Sequence, residues 1–471
     1  MQVPRRRVRS NPVFIRSVAA CAALGAIHAS SLAQEVPDDG IAGVGDAADA
    51  AELIPSAASG LPPVLPGQEP GARGRAPERA TGESAAADDR WSTLTGDWLG
   101  ARRRLTELGI DASGSAVLEW SDLLDGGARE ASAFRFLVDL NATFDLAVLA
   151  GIDGARAFID FQTADSPVDG LDTGAFQAYS NIAIDGSITQ LSQLWYEQWL
   201  FDRAVRVKLG KVDANAEFAY LGAAGGFINA SAGFSPAIIA FPTYPNPATS
   251  VNAFLYPDES IYLGAALYDG AATVDGVPTG SRGPATFFSD DASDDWFAIA
   301  EFGLTLDEAG PFAHARVGLG AWWHSGEFTR FDGGSEDGTS GLYAVAEGRV
   351  WNPEGVDPSD GEDRRGLWVF AQFGSADGEV SSVERQFGLG ASLAGTFGGR
   401  DDDSCGVYLT RVDFTGAPAA ALGSDEWAIE LYYDCAIAPC VHIKPDIQWI
   451  RNAGGGEDDA VVASLRVILT F

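Results

Sequence analysis

From residue 110 to the last residue, apolar and polar side chains alternate with a period of two. In Val461–Phe471 the odd positions Val461, Ala463, Leu465, Val467, Leu469 and Phe471 are all apolar, and the even positions include Ser464, Arg466 and Thr470. Val441, Ile443, Ile447 and Trp449 alternate with His442, Lys444, Asp446 and Gln448. Near the other end, Phe134, Phe136, Val138 and Leu140 alternate with Arg135, Asp139 and Asn141. Successive strand side chains point to opposite faces, so each segment is a strand with one apolar and one polar face. A chain patterned this way throughout is all-β.

A soluble sandwich and a membrane barrel both alternate. Most segments here are about 9–12 residues long, the length of a tilted membrane-spanning strand. Aromatics gather at segment ends (Trp195 and Trp199, Trp322 and Trp323, Trp449), where girdles at the two membrane interfaces would need them. The fold class expected is therefore a transmembrane antiparallel β-barrel. Sixteen strands are read, at about 110–121, 133–147, 154–164, 190–201, 204–211, 249–257, 259–268, 296–306, 312–323, 341–351, 366–375, 385–397, 405–414, 425–435, 441–451 and 461–471. With Phe471 at the periplasmic side, the longer connections (122–132, 165–189, 212–248, 269–295, 324–340, 376–384, 415–424, 452–460) fall outside. Only 352–365 breaks that asymmetry. A barrel of sixteen strands encloses an aqueous channel.

The beginning of the chain fits export. Arg5, Arg6, Arg7, Arg9 and Arg16 precede the short apolar run 17–27, and Ser31-Leu32-Ala33 reads as a cleavage site, so residues 1–33 are expected to be a signal peptide. Residues 34–90 hold no aromatic residue and are rich in Ala, Gly, Pro and acids; they read as a flexible acidic periplasmic leader. Residues 91–109 read as a periplasmic helix and 110–471 as the barrel. Lys plus Arg number 31 against 66 Asp plus Glu, a net charge of −35, which argues against nucleic-acid binding.

Residues 94–110, LTGDWLGARRRLTELGI, resemble the N-terminal signature of the carbohydrate-selective porin (OprB) family through Gly96, Asp97, Trp98, Gly100, Arg102, Leu105, Gly109 and Ile110; Leu99 stands where Gly is usual. Trp195 with Glu197–Trp199, Leu209-Gly210-Lys211, Tyr268-Asp269-Gly270, Gly341–Ala346, Gly398–Asp403 and the closing stretch from Glu430 through Lys444–Gln448 to Gly455 are similar to further family motifs, in the family's order. The resemblance implies an outer-membrane porin of a Gram-negative bacterium that passes sugars by passive diffusion.

Alternation assigns a lumen face carrying Arg135, Asp139, Arg156, Asp160, Glu197, Arg206, Lys208, Arg316, Glu347, Arg349, Glu430, Lys444, Asp446 and Arg466. Both signs are present, which suits hydroxyl-rich neutral solutes better than a single-sign ion filter. A general or cation-preferring diffusion porin is the alternative. The connection 212–248, with Glu217, Phe218, Tyr220, Phe227, Phe234 and Phe241, is too apolar to stand in water and is expected to fold into the barrel mouth; 165–189 is the second candidate. Within 95–108 Asp97 is the expected N-cap, and Arg102, Arg103 and Arg104 either cap the periplasmic mouth, meet acidic wall residues or belong to an amphipathic docking helix. Cys405, Cys435 and Cys440 allow a Cys405–Cys435 or a Cys435–Cys440 disulfide. No cofactor, metal site or catalytic motif is read, so an enzyme is not expected. The expected partners are sugars and outer-membrane lipid; the oligomeric state stays open.

Overall fold

A computed structural model describes residues 93–471 apart from 128–130, 168–172, 185, 271–272, 275–276, 279–294, 357–362, 397 and 457. The expected signal peptide and leader lie outside the described residues.

The strands are β1 (Ile110–Gly126), β2 (Ser132–Asp145), β3 (Ala155–Ser166), β4 (Gly186–Leu200), β5 (Val205–Val212), β6 (Ala248–Leu255), β7 (Ile261–Asp269), a two-residue hairpin β8 (Thr273–Val274) and β9 (Val277–Pro278), then β10 (Trp296–Ala309), β11 (Phe312–Thr329), β12 (Ser335–Trp351), β13 (Gly366–Ala376), β14 (Val383–Ala394), β15 (Ser404–Phe414), β16 (Asp425–Ala438), β17 (Val441–Arg451) and β18 (Ala460–Thr470). All but β8 and β9 form one closed antiparallel barrel of sixteen strands, in which each pairs with its sequence neighbour and β18 returns to β1. Closure leaves no unpaired edge, the condition for a sheet to lie in hydrocarbon. The outward hairpin β11–β12 runs further than its pattern suggested, which shortens the expected connection 324–340 to 330–334.

The amphipathy is inverted relative to a soluble protein. Leu140, Leu209, Leu263, Phe302, Leu319, Leu342, Leu389, Leu431 and Leu465 are exposed around the outside, while Glu119, Arg135, Arg349, Glu430 and Arg466 are buried inside. A continuous apolar exterior of this extent would drive aggregation in water; in lipid it is the solvated face. Among the described residues no helix is long and apolar enough to cross a membrane, and the strands cross instead.

Two expectations about aromatics change. Trp195 and Trp322 are buried in the lumen rather than exposed in a girdle, and Trp199 is half-buried against the same cluster. The reason is the period itself: Trp195, Glu197 and Trp199 are two apart and share the lumen face. Trp323 and Trp449 do face outward. Inside, large rings lie flat over glycines of neighbouring strands. A β-carbon on Gly303 would sit 1.8 Å from the Tyr262 ring, and one on Gly320 would sit 2.0 Å from the Tyr343 ring.

The N-terminal segment is a 3-10 turn, Trp98–Gly100, followed by a short helix, Ala101–Glu107. Asp97 is the N-cap of the 3-10 turn, without a side-chain capping bond to it, and Gly100 is the N-cap of the helix. Asp97 still accepts a hydrogen bond from the Arg103 backbone N–H at 3.1 Å and pairs with the Arg103 guanidinium at 2.8 Å. The three cysteines among the described residues, Cys405, Cys435 and Cys440, are unbridged. The register sets Cys405 opposite Tyr433 rather than Cys435, and Cys435 Sγ instead accepts from Arg400 Nη2 at 2.9 Å. The disulfides weighed above are therefore not made in this structure.

Candidate functional site

The lumen wall is built from charged residues that face one another across neighbouring strands. At the seam, Glu119 lies opposite both Arg466 and Arg135, at 2.5 Å and 3.2 Å. Around the wall, Arg206 pairs with Glu197 at 3.2 Å, and Lys208 with the same carboxylate at 3.5 Å. Arg316 pairs with Glu347 at 3.2 Å, and Glu301 accepts from Tyr262 and from Tyr343. Buried charges persist only when paired and hydrogen-bonded, so these contacts are a condition of the wall's existence.

Two connections fold into this lumen. The 213–247 stretch buries Phe218, Phe227, Ile228, Phe234 and Ile238, as its composition required. It is gripped through its backbone. Ala219 N–H donates to Glu301 at 2.9 Å, Ala223 N–H to Glu347 at 2.7 Å, and Ile228 and Asn229 N–H to the two oxygens of Glu430 at 2.6 and 3.0 Å. Lys444 Nζ donates to Gly226 O at 2.8 Å, and Arg316 to Tyr220 O. Glu217 of this loop takes Arg206 at 2.5 Å and also Lys208. Phe227 packs against Phe370, Tyr408 and Tyr432 on the far wall. The connection that starts on β5 thus reaches β10, β12, β16 and β17.

The second connection behaves alike. Phe176 and Gln177 N–H donate to Glu426 at 2.7 and 2.8 Å. Tyr179 OH accepts from Arg135 Nη2 at 2.6 Å, and Asn181 Oδ1 from Arg466 Nη2 at 2.8 Å. The two loops then join each other: Asn181 N–H donates to Ile228 O at 2.7 Å, and Ala230 N–H to Ala178 O at 2.9 Å. Between them and β13–β15 lies an uncharged cluster in which Gln372, Gln386, Tyr408, Thr410, Gln177 and Ser231 exchange hydrogen bonds.

All fourteen strand residues assigned to the lumen by alternation face inward. Arg135, Asp160, Glu197, Arg206, Lys208, Arg316, Glu347, Arg349, Glu430, Lys444, Asp446 and Arg466 are buried, as is Glu217 on the loop; Asp139 and Arg156 are half-exposed. Asp160 lies opposite Asn141, two pairs along from the Gln162–Asp139 hydrogen bond. Arg156 lies opposite Glu197, and Arg349 covers the Trp368 ring at 4.8 Å. Asp446 is hydrogen-bonded by Gln448 at 3.2 Å. Sequence reading missed Glu119, Glu301, Glu426 and Arg364. Glu119 and Glu301 follow the lumen-face alternation of their strands, a signal that was available. Arg364, on the inner connection that broke the length asymmetry, reaches Glu347 at 3.4 Å, and its guanidinium lies against Gly222, where a β-carbon would displace it. Among the described residues no group of three or more His, Cys, Asp or Glu is placed to hold a metal ion.

A family model described as the carbohydrate-selective porin, OprB family, matches residues 137–471. The chain belongs to the OprB family. Outer-membrane barrels of Gram-negative bacteria make up this porin family, and its fold is the one described above. An OprB barrel of Pseudomonas putida at high pH superposes with a TM-score of 0.71 at 19% identity, over 83% of this chain and all of that one. The low-pH structure of the same OprB gives 0.55 at 17% identity, over 82% of this chain and all of that one. Porin B of Pseudomonas aeruginosa is 24% identical over 153 residues, 28% of this chain and 32% of that relative. The chain thus aligns with about a third of that relative's length. As an OprB barrel the molecule is a channel, and the two inward loops lie across its lumen. Most wall charges are paired and buried, whereas Asp139, which accepts from Gln162 at 2.8 Å, and Arg156, opposite Glu197, are less buried.

Proposed function

We propose that the chain is an outer-membrane porin through which sugars diffuse passively into the periplasm. The observation that carries this reading is the pairing of opposite charges around the lumen beside an uncharged cluster of amides and hydroxyls with aromatic neighbours. Such a passage offers donors and acceptors to hydroxyls and ring faces to C–H groups, without a single-sign ring. The pore-facing residues are proposed to act in two groups: the buried ones hold the loops, and the half-exposed ones meet solute. Residues 1–33 are proposed to be the export signal and 34–90 a periplasmic leader.

Swelling of liposomes containing the purified protein tests this. Neutral sugars should enter faster than into empty liposomes; equal rates would reject the reading. A cation-preferring porin is the second reading, favoured by acids at the outer ends of the strands, among them Asp122, Glu327, Asp337, Asp413 and Asp459. Planar-bilayer reversal potentials separate the two: strong cation preference with no block of current by sugars supports the second.

A further inference from the structure

Trp98 and Leu99 are consecutive residues in the left-handed region, with φ of 49° and 60°. That region is disfavoured for residues with a β-carbon. Such strain persists where it serves something, and here it is not recovered by full burial within the chain: Leu99 is fully exposed and Trp98 is 41% exposed. Leu94 and Leu108 on the same segment are exposed as well. What the kink achieves is the outward display of an indole and an isobutyl group.

The surroundings say what covers them. The segment is tied along the periplasmic rim, by Leu94 N–H to Thr470 O at 2.8 Å at one end and by Asp145 N–H to Gly109 O at 2.7 Å at the other. Gly109 packs against Val148, where a β-carbon would come within 2.9 Å. Val148, Leu149 and Ile152 in that turn are exposed, and so is Phe201 in another short turn of the same rim. At Gly109 the segment therefore abuts an exposed apolar turn of the same rim. It also carries cations: Arg102 covers the Trp98 ring at 4.5 Å, Arg104 is exposed, Arg103 is exposed while paired with Asp97 at 2.8 Å, and no ion pair joins these three to a wall carboxylate among the described residues. An apolar face edged by arginines and an interfacial tryptophan matches a leaflet of anionic phospholipid.

We infer that residues 94–108 form an interfacial anchor that docks on the inner leaflet of the outer membrane, with Trp98 and Leu99 at the acyl boundary and the arginines on lipid phosphates. The full-length protein is reconstituted in phosphatidylethanolamine–phosphatidylglycerol vesicles and in phosphatidylcholine vesicles. The emission of wild type minus that of Trp98→Phe isolates Trp98. That emission should be blue-shifted, quenched by lipids brominated on the acyl chain, and quenched more in the anionic vesicles. Leu99→Gly should weaken the quenching by about twofold or more, and Arg104→Gln should remove part of the anionic preference. Quenching by aqueous iodide with indifference to brominated lipid would overturn the inference. Shielding from both quenchers would also overturn it, since it would mean that protein covers the patch. Should Trp98→Phe not fold, hydrogen exchange of the 93–109 peptide in wild type decides: slower exchange in anionic than in neutral lipid is expected, and equal exchange overturns it.

Discussion

Glu119 on the first strand and Arg466 on the last stand opposite each other at the barrel seam, 2.5 Å apart, with neither side chain exposed. Arg135 contacts the same carboxylate from the other side at 3.2 Å. One buried acid therefore holds two buried guanidinium groups where the sheet closes on itself. Removing it takes the shared carboxylate from two buried guanidinium groups, and breaking a buried pair costs about 3–5 kcal/mol. Glu119→Ala should lower the temperature at which the folded, fast-migrating band disappears on electrophoresis. Glu119→Gln, which keeps an acceptor, should lower it less. An unchanged transition in Glu119→Ala would show that the seam does not depend on this pair.

The loop grip makes a second expectation. Glu430 accepts from two consecutive backbone N–H groups, Ile228 and Asn229. Hydrogen bonds to a charged acceptor contribute about 1.5–3 kcal/mol each. Glu430→Ala should free the middle of the 213–247 stretch without opening the barrel, since the strand ladder is untouched. Single-channel conductance should rise, and current noise with it. Wild-type conductance in a folded Glu430→Ala channel would mean that the loop is held in place by its apolar contacts alone.

The proposed division between residues that hold the structure and residues that meet solute follows burial and can be tested. Asp139 and Arg156 are half-exposed on the lumen face, whereas Arg135 and Arg466 are buried. Asp139→Asn should move the reversal potential toward anions and Arg156→Gln toward cations, each with little change in thermal stability. Arg466→Gln should do the reverse, with a clear loss of stability and a small change in selectivity. Bilayer recordings and melting curves on the same preparations check the split. Equal effects of all three on selectivity would mean that exposure does not identify the conducting surface.

Much of this architecture was legible because one face of every strand meets lipid, and lipid tolerates no lapse in the pattern. Leu465 and Leu389 had to be apolar, so alternation located their strands and put Arg466 inside. The inner face is looser. It holds Trp195, Trp322 and Phe297 as readily as Glu197, because the apolar loop covers that part of the wall. Aromatic residues there do not announce which side they occupy except through strict parity. The grip of Glu430 on Ile228 joins residues 202 apart, and that of Glu119 on Arg466 joins residues 347 apart. Such pairings depend on closure and loop path, which no local spacing encodes. The kink at Trp98 and Leu99 was hidden for a different reason: the segment's composition reads as a plain helix, and the left-handed pair overrides it.

The turn before β15 carries a pH dependence whose direction follows from geometry. Arg400 binds Asp403 at 2.5 Å through Nε and 2.7 Å through Nη2, Ala436 N–H donates to the same carboxylate at 3.0 Å, and the Tyr433 hydroxyl donates as well. The Arg400 guanidinium, followed by the Tyr433 and Ala436 donors, holds the Asp403 carboxyl down at about 2. An unfolded aspartate titrates near 3.9. A depressed folded value stabilises at pH above the unfolded one and loses that contribution as pH falls toward the folded one. The turn should therefore be indifferent to pH from neutral down to about 4 and loosen between about 4 and about 2. Hydrogen exchange of the 395–405 peptide, corrected for the intrinsic pH dependence of exchange, reads this directly. Asp403→Asn should abolish the acid-dependent phase and show fast exchange at every pH. An acid phase that persists in Asp403→Asn would assign the dependence to another group.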